Sequence, residues 1–300
     1  MDMGKLDTYI GRFAPSPSGP LHFGSLLAAV ASYLDAISNQ GHWLIRVEDL
    51  DPSREPPGTA EIILSQLDDF GLTTDQPILY QSDRISAYSE ALAKLESMSL
   101  IYRCTCSRQR LRALGGRYDG HCRDLQFPPE QDYAIRLQTK DVNIAFTDLI
   151  QGRFSQNINR ETGDFVIKRR DGLFAYQLAV VIDDAFQQIT HVIRGCDLLD
   201  STPRQIYLQQ LLHLPTPEYG HIPVAVNDQG QKLSKQHFAE PISGHNKMIL
   251  LKDALTLLGV KPPHNWQFNS VSELLDWAID HWSINTVPSV YDIPHCPSTG

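Results

Sequence analysis

The chain reads YIGRFAPSPSGPLHFG over residues 9–24, and this segment gives the clearest indication of the fold class. Its first six residues are mostly apolar, as in a buried strand, and a turn rich in proline and serine ends that strand. Apolar residues then recur at helical spacing over residues 25–38, and a second strand pattern covers residues 42–49. This β-α-β unit predicts an α/β fold with a doubly wound parallel sheet, whose ligands bind at the carboxyl ends of the strands.

The remaining pattern alternates between helices and strands. Helices are predicted over residues 59–70, 86–98, 203–212, 248–258 and 271–282. Strands are predicted over residues 133–138, 144–149, 164–168 and 188–194. The apolar segment at residues 174–182 fits either a strand or a helix, and the proline-rich tail from Pro288 is expected to be loosely ordered.

The composition is that of an ordinary globular protein. Its 300 residues suggest about two domains. The composition, with 42% hydrophobic and 20% charged residues, excludes a chain that is wholly disordered, collagen-like or coiled coil. The net charge of −9 is unlike that of a protein that coats nucleic acid, although it permits a local basic surface. No apolar stretch approaches the ~20 residues of a spanning helix and the start lacks a secretory signal, so we expect a cytoplasmic protein without membrane contact.

Residues 21–25 join the first predicted strand to the first helix. Free backbone N–H groups and the helix dipole make such a position favourable for a phosphate. Gly24 would let a nucleotide base lie against the backbone, and His22 could donate to a phosphate oxygen whose charge grows during the reaction. On these residues alone, a strand-to-helix turn capped by Ser25 is an equally good explanation.

A lysine-containing loop, Lys-Leu-Ser-Lys-Gln at residues 232–236, follows an apolar segment at residues 222–226. Its two lysines could close over a triphosphate, with Lys235 neutralising the charge of the departing pyrophosphate. Taken alone, a loop of this composition is more often a solvated turn.

Together, and in this order, the two segments resemble the two signature motifs of the class I aminoacyl-tRNA synthetases. Three further runs resemble the glutamyl branch of that class, at residues 11–22, 46–51 and 195–205. The resemblance covers roughly residues 8–260 and implies a Rossmann-like catalytic domain. Ser25 stands where the motif has a second histidine, and Gln236 replaces a final serine. Because His22 and Lys235 are both present, we expect the activity to survive these departures.

The resemblance implies a glutamate-binding site and an ATP-binding site. Glutamate would be bound by Arg12, Phe13, Ala14, Pro15, Ser16, Glu48, Tyr176 and Arg194. ATP would be bound by His22, Gly24, Ser25, Lys232, Ser234 and Lys235, with Mg²⁺ on its phosphates. His22 and Lys235 would be catalytic. Arg12 matches the arginine that reads the side-chain carboxylate, and Glu48 matches the acid that holds the α-ammonium group.

Three of the five cysteines lie close together, as Cys104, Cys106 and Cys122. Three soft ligands need a fourth to complete a tetrahedral zinc site. His121 is the obvious candidate chemically, but it adjoins Cys122, and successive side chains rarely converge on one ion. The resemblance instead places Tyr118 fourth, and it implies one structural Zn²⁺ per chain because four protein ligands leave no position for water. Three reduced cysteines without metal are the alternative.

The cysteine region is also basic. Residues 101–124 contain six arginines and two aspartates, a charge of +4 within a chain of −9, and residues 168–170 add Lys-Arg-Arg. Such a region is a candidate contact surface for RNA, although a solvated basic face is the simpler alternative.

The length indicates which reaction of the family to expect. Only 64 residues follow Gln236, whereas a glutamyl-tRNA synthetase continues into a large anticodon-binding region, and a domain usually takes ~100–150 residues. The chain therefore resembles the truncated members that activate L-glutamate with ATP and transfer it to queuosine, the modified wobble base of tRNA(Asp). The vicinal diol on the cyclopentene ring of queuosine would stand in for a terminal ribose.

The predicted organisation has three parts, and we expect a monomer. These are a catalytic domain at residues 1–98 and 188–236, an inserted zinc-bearing α+β domain at 99–187, and a short C-terminal helical region at 237–300 without an anticodon-binding domain. One alternative is a compact enzyme that charges tRNA(Glu) or tRNA(Gln). Another is an inactive paralogue that binds tRNA, against which the intact His22, Glu48, Arg194 and Lys235 argue.

Overall fold

The computed structural model describes residues 8–128, 131–227, 229–233, 241–263 and 267–295. The predicted β-α-β unit is confirmed. β1 (Ile10–Phe13) pairs in parallel with β2 (His42–Val47), which pairs in parallel with the short β3 (Leu79–Tyr80). Between them, α1 (Phe23–Ser38) begins two residues earlier than predicted, because the His22 side chain accepts a hydrogen bond from a backbone N–H of its first turn.

Each of the remaining predicted helices and strands is present with shifted bounds, and several elements that were not predicted lie between them. The other helices are α2 (Thr59–Asp69), α3 (Ile85–Ser97), α4 (Arg108–Ala113), α5 (Tyr176–Phe186), α6 (Thr202–Leu212), α7 (Lys247–Leu257) and α8 (Val271–His281). The other strands are β4 (Ile101–Cys104), β5 (Ala134–Leu137), β6 (Asn143–Asp148), β7 (Gly152–Asn157), β8 (Phe165–Lys168), β9 (His191–Gly195), β10 (Glu218–Ile222), β11 (Val224–Val226) and β12 (Asp292–Pro294). Among the described helices, none combines the length and apolar character needed to cross a bilayer.

Parallel and antiparallel pairs occupy different parts of the chain. β9 pairs in parallel with β10, and the Thr190 N–H before β9 donates to the Ile10 carbonyl at 2.9 Å, which sets β9 beside β1. The antiparallel pairs, β4-β5-β8 and β6-β7, all lie between residues 101 and 168. The parallel strands confirm the α/β class, and their carboxyl ends meet at one edge.

A buried apolar cluster fixes α1 between the sheet and the C-terminal helices. Leu26 of α1, Leu251 of α7 and Leu274 of α8 are all fully buried in this cluster. Because α1 is covered on most of its faces, its N-terminus is held rigidly next to the carboxyl end of β1.

A second cluster joins the antiparallel strands to the parallel ones. It contains Leu137 of β5, Leu178 of α5 and Leu208 of α6, all fully buried. Residues on both sides of the predicted boundary at position 187 thus share one core, and the division into a catalytic and an inserted domain stays a prediction.

Several elements differ from the sequence-based expectations. The strands β3, β4, β7, β10 and β11 and the helix α4 were not predicted, since all are short. Of the ambiguous segment at residues 174–182, residues 176–182 are helical and belong to α5, whereas Phe174 forms an isolated antiparallel bridge with Lys168. The expectation of a loosely ordered tail is wrong for residues 292–295, because β12 pairs in parallel with β11 and the ring of His295 stacks on that of Phe23, 3.6 Å between centroids. Pro294 is tolerated there because β12 is an edge strand.

Candidate active site

A cleft of about 630 Å³ opens at the carboxyl ends of β1, β2 and β9, and we call it the sheet-end cleft. It is lined by all eight residues predicted to bind glutamate, namely Arg12, Phe13, Ala14, Pro15, Ser16, Glu48, Tyr176 and Arg194. Four of the residues predicted to bind ATP also line it: His22, Gly24, Ser25 and Lys232. The remaining two, Ser234 and Lys235, lie outside the described residues.

Buried charges surround one end of the sheet-end cleft. Arg46 is fully buried, with its Nη atoms 2.8 Å from Asp184 and 3.4 Å from Glu48. Arg12 contacts the same Asp184, with 3.3 Å between Nε and Oδ1. Burial opposes ionisation of Asp184, but Arg12 and Arg46 outweigh it and hold the pKa of that carboxyl below its usual value. Two guanidinium groups and two carboxylates therefore balance one another before any ligand binds.

Glu48 is the carboxylate of this group that lines the cleft. Its side chain is buried, and burial raises its pKa although Arg46 and Arg12 act in the opposite direction. A buried carboxylate of this kind is stabilised by a further cation, and an amino acid carries one as its ammonium group. The Glu48 N–H donates to the Pro15 carbonyl at 2.9 Å, so the end of β2 and the loop after β1 form one wall.

The guanidinium of Arg194 is held on several sides at the end of β9. Its Nε donates to Nε2 of His221 at 3.0 Å, and one Nη donates to Thr202 and to Gln205 at 2.8 Å each. The other Nη donates to the hydroxyl of Tyr176 at 3.1 Å. Arg194 is only 4% exposed, so these bonds fix its direction at the edge of the cleft.

His221 and Asp148 were not among the predicted site residues. Nδ1 of His221 lies 2.5 Å from Oδ2 of Asp148, and both side chains are fully buried. Because an arginine N–H can only donate, Nε2 of His221 accepts from Arg194 and Nδ1 carries the proton shared with Asp148. Burial lowers the pKa of His221, which favours this neutral form. The sequence gives no signal for the pair, since 73 positions separate the two residues.

The two signature segments meet in the structure. His22 caps α1 through its Nδ1, which lies 3.1 Å from the backbone nitrogen of Ser25. A Cβ on Gly24 would lie 2.9 Å from the carbonyl oxygen of Leu233, so a side chain there would push away the loop that contains Lys232. The start of α1 and residues 232–233 thus border the same space, where a polyphosphate would meet the positive end of the helix dipole.

Lys232 pairs with an acid that the sequence reasoning did not single out. Its Nζ lies 2.6 Å from Oδ2 of Asp197, and both residues line the sheet-end cleft. Both side chains are partly exposed, so the pair is open to exchange when a more highly charged anion enters.

The predicted metal ligands also come together. The sulfurs of Cys104, Cys106 and Cys122 lie within 4.8 Å of one another. The hydroxyl of Tyr118 lies 3.5 Å from the first sulfur and 3.4 Å from the second. His121 is exposed and is not part of this convergent group. The structure thus places Tyr118, and not His121, beside three sulfurs, which supply three of the four donor atoms of a tetrahedral zinc site.

A cation lies beside the cysteine cluster. The guanidinium of Arg136 stacks on the ring of Tyr118, 3.8 Å from its centroid. Burial opposes ionisation of Cys104, but hydrogen bonds from Tyr118 and Arg136 outweigh it and lower the pKa of that thiol to about 7. Burial raises the pKa of Cys106 to about 11. Of these two thiols, that of Cys104 therefore ionises the more readily, and the thiolate is the form in which a cysteine can bind metal.

The chain is similar in sequence and in fold to several known proteins. Residues 9–274 match the model of the catalytic domain of class I tRNA synthetases (E and Q). A glutamyl-Q tRNA(Asp) synthetase of Pseudomonas fluorescens is 50% identical over 287 residues, which cover 96% of each chain. A protein of the same name from Escherichia coli is 50% identical over 280 residues, which cover 93% of this chain and 91% of that one. The crystal structure of a glutamate-tRNA synthetase from Elizabethkingia anophelis superposes with a TM-score of 0.78 at 27% identity, covering 95% of this chain and 67% of that one.

Proposed function

Because this chain belongs to the class I tRNA synthetases for glutamate and glutamine, among the glutamyl-Q tRNA(Asp) synthetases, we propose that it is an ATP-dependent ligase acting on queuosine in tRNA(Asp). It activates L-glutamate with ATP and transfers the glutamyl group to the cyclopentene diol of that wobble base. The observation that carries this proposal is the sheet-end cleft, in which two arginines and a buried carboxylate lie near the N-terminus of α1.

The charges of the cleft complement those of glutamate. Arg12 binds the side-chain carboxylate, and Glu48 binds the α-ammonium group. Arg194 and Tyr176 line the remaining side and hold the amino acid in one orientation. Residues 13–16 form the wall next to Arg12. The charges of the side chains support these roles. Glutamate has two carboxylates, which arginines bind, and one ammonium group, which the carboxylate of Glu48 binds.

Adenylate formation takes place at the N-terminus of α1. An oxygen of the glutamate α-carboxylate attacks the α-phosphorus, and the bond to the bridging oxygen of the β-phosphate breaks, so that pyrophosphate leaves with the electron pair. His22, Gly24 and Ser25 present the phosphates to the helix N–H groups, which stabilise the growing charge. Lys232 lines the same cleft, and the family motif assigns Ser234 and Lys235, which follow it in the sequence, to the phosphates as well. Mg²⁺ would supply further charge neutralisation.

The second step is an acyl transfer. One hydroxyl oxygen of the queuosine diol attacks the glutamyl carbonyl carbon, AMP leaves with the electron pair of the mixed anhydride bond, and the hydroxyl proton is released. The diol offers two neighbouring hydroxyls, as the terminal ribose of a tRNA does. A cleft shaped for a ribose diol therefore accepts the modified base without a change in the reaction.

The zinc site is part of the proposal. Cys104, Cys106, Tyr118 and Cys122 hold one structural Zn²⁺ per chain. The distances within this group support it, and four protein ligands leave no coordination position for a reacting water. Because Cys104 ends β4 and Tyr118 and Cys122 follow α4, a metal held by these residues would connect the two elements within the proposed inserted domain at residues 99–187. The catalytic domain comprises residues 1–98 and 188–236, the helical region residues 237–300, and the enzyme acts as a monomer.

Glutamylation of three purified tRNAs tests the proposal. The protein is incubated with ATP, labelled glutamate and either tRNA(Asp) with queuosine, the same tRNA without queuosine, or tRNA(Glu). Label on the first tRNA alone is the expected result. Label on tRNA(Glu) would instead make the protein a compact charging enzyme. Absence of glutamate-dependent ATP–pyrophosphate exchange would make it an inactive tRNA-binding paralogue.

A further inference from the structure

A second cavity, of about 510 Å³, lies between α4, β8 and the start of α6, and we call it the arginine cleft. Five arginines line it: Arg108, Arg112, Arg117, Arg136 and Arg204. Three of them belong to the cysteine region, and the other two come from β5 and α6. None of the five lines the sheet-end cleft.

Among the described residues, Asp164 is the one carboxylate in the lining, and other groups already neutralise it. Its Oδ1 lies 2.6 Å from an Nη of Arg123, and its Oδ2 accepts from Tyr102. Burial opposes ionisation of Asp164, but these bonds outweigh it and lower its pKa. Asp164 therefore does not offset the charge of the five arginines.

The arginines that line the cleft differ from their neighbours in sequence. Arg110 forms a salt bridge with Asp119 at 2.6 Å, as Arg123 does with Asp164. Within the part of the chain that the structure describes, none of the five lining arginines forms a salt bridge with a carboxylate. The surface thus concentrates unneutralised positive charge in one concave place of a chain whose net charge is −9.

Two of these arginines also have buried donors without acceptors. The Nε atoms of Arg136 and Arg204 are both buried, and neither has a hydrogen-bond partner in the described structure. Arg136 is only 6% exposed and is fixed by its stacking on Tyr118. Both guanidinium groups thus keep hydrogen-bonding capacity that no described residue uses, although the Nε atoms themselves are covered by protein.

From this arrangement we infer that the arginine cleft binds phosphodiester groups of the RNA backbone. Arginine forks fit phosphate oxygens in pairs, and five of them around one cavity match more than one phosphate. The apolar side chains of Leu111, Leu114 and Phe165 complete the walls of the cleft. Because apolar walls have a low dielectric constant, they focus the electric field of the guanidinium groups into the cavity. The inference rests on the proposed function, because the tRNA substrate of that reaction supplies the backbone.

The proposed binding surface is separate from the chemistry. Arginines that bind phosphates fix the position of an RNA and do not read its bases, so the arginine cleft adds affinity for any tRNA that reaches it. Removing its charge therefore weakens tRNA binding and leaves adenylate formation, which involves only ATP and glutamate, at its normal rate.

The experiment uses Arg108→Gln/Arg112→Gln in the full-length protein. Both side chains are exposed, so the double substitution removes charge without emptying the core. The dissociation constant for queuosine-containing tRNA(Asp) is measured from 50 to 200 mM salt, with glutamate-dependent ATP–pyrophosphate exchange recorded in parallel without tRNA. We expect about tenfold weaker binding, and a salt-dependence slope smaller by about 0.7–0.9 for each phosphate that the variant no longer neutralises.

Arg153→Gln is the matched control, since Arg153 is exposed on β7 and lines neither cleft. Unchanged affinity and slope in the double variant would overturn the inference, and so would an equal weakening in the control. If inorganic phosphate at millimolar concentration protects Arg112 from guanidine-modifying reagents and tRNA does not, the cleft binds free phosphate instead. Wild-type protein that binds tRNA through the cleft but glutamylates none would refute the proposed function and leave the cleft standing.

Discussion

The acceptor that His221 offers to Arg194 is the most informative single bond of the proposed glutamate site. His221→Asn keeps a donor near the position of Nδ1, so the buried Asp148 remains hydrogen-bonded, but the acceptor at Nε2 is removed. His221→Gln is the matched variant, because its longer side chain carries a carbonyl oxygen to about the position of Nε2. The pair thus separates loss of the bond to Arg194 from loss of the histidine itself.

The size of the effect follows from the hydrogen bonds of Arg194. One charge-assisted hydrogen bond, at 3.0 Å, is removed, while those to Thr202, Gln205 and Tyr176 remain. Such a bond contributes about 1.5–3 kcal/mol. Since 1.4 kcal/mol corresponds to a factor of ten, KM for glutamate in His221→Asn should rise roughly 10- to 100-fold.

The assay is ATP–pyrophosphate exchange with glutamate and ATP titrated separately. KM for glutamate should rise in His221→Asn and return close to the wild-type value in His221→Gln, while KM for ATP stays constant in both. Burial lowers the pKa of His221, so in the wild type KM for glutamate should not change as the pH falls from 7.5 to 6.5, the ordinary histidine pKa. A folded His221→Asn with wild-type KM for glutamate, or with an equal rise in KM for ATP, would refute the reasoning.

Four further substitutions test the sheet-end cleft and the cysteine cluster: Glu48→Gln, Gly24→Ala, Cys104→Ala and Tyr118→Phe. Burial raises the pKa of Glu48, so the carboxylate is protonated as the pH falls through that raised value, and KM for glutamate should begin to rise while the pH is still above 4.5, the ordinary glutamate pKa. In exchange kinetics, Glu48→Gln should raise KM for glutamate at least tenfold and remove this pH dependence. Gly24→Ala should lower the exchange rate at least tenfold and raise KM for ATP more than KM for glutamate, because its Cβ would lie 2.9 Å from the Leu233 carbonyl; unchanged ATP kinetics would contradict the close approach. Cys104→Ala should release about one equivalent of zinc, measured by metal analysis of the purified protein. Tyr118→Phe should weaken zinc retention against a chelator. Equal metal content in the wild type and both variants, with and without chelator, would rule out the site.

Hydrophobic spacing predicted those elements whose own sequence repeats apolar residues at the period of a helix or a strand. The β1, α1 and β2 segments are locally periodic, so their type and order follow from the sequence. Spacing failed at α4 and at β12, which are short and depend on partners elsewhere in the chain. In β12, Asp292 and Pro294 are typical of a loop, and only pairing with β11 makes the segment a strand.

In the candidate site, too, residues within a local motif were predictable, and residues brought together by strand pairing were not. Residues within recognisable motifs, such as Arg12 and Glu48, were predictable and do line one cleft. His221 reaches Arg194 because β10 pairs with β9 in a particular register, and no local pattern encodes that register. Composition likewise counts the arginines of the cysteine region as one basic face. In the structure, Arg110 pairs with Asp119 and Arg123 with Asp164, whereas Arg108, Arg112 and Arg117 have no carboxylate partner among the described residues.

Locating the transferred glutamate on the tRNA tests the central claim most directly. Queuosine-containing tRNA(Asp) is glutamylated with labelled glutamate, cut on both sides of the anticodon, and its fragments are separated under acidic conditions that preserve the ester. We expect the label in the anticodon fragment that carries queuosine, and none at the 3′-terminal adenosine. Label at the 3′ end would contradict the proposed reaction and would make the sheet-end cleft the site of ordinary tRNA charging.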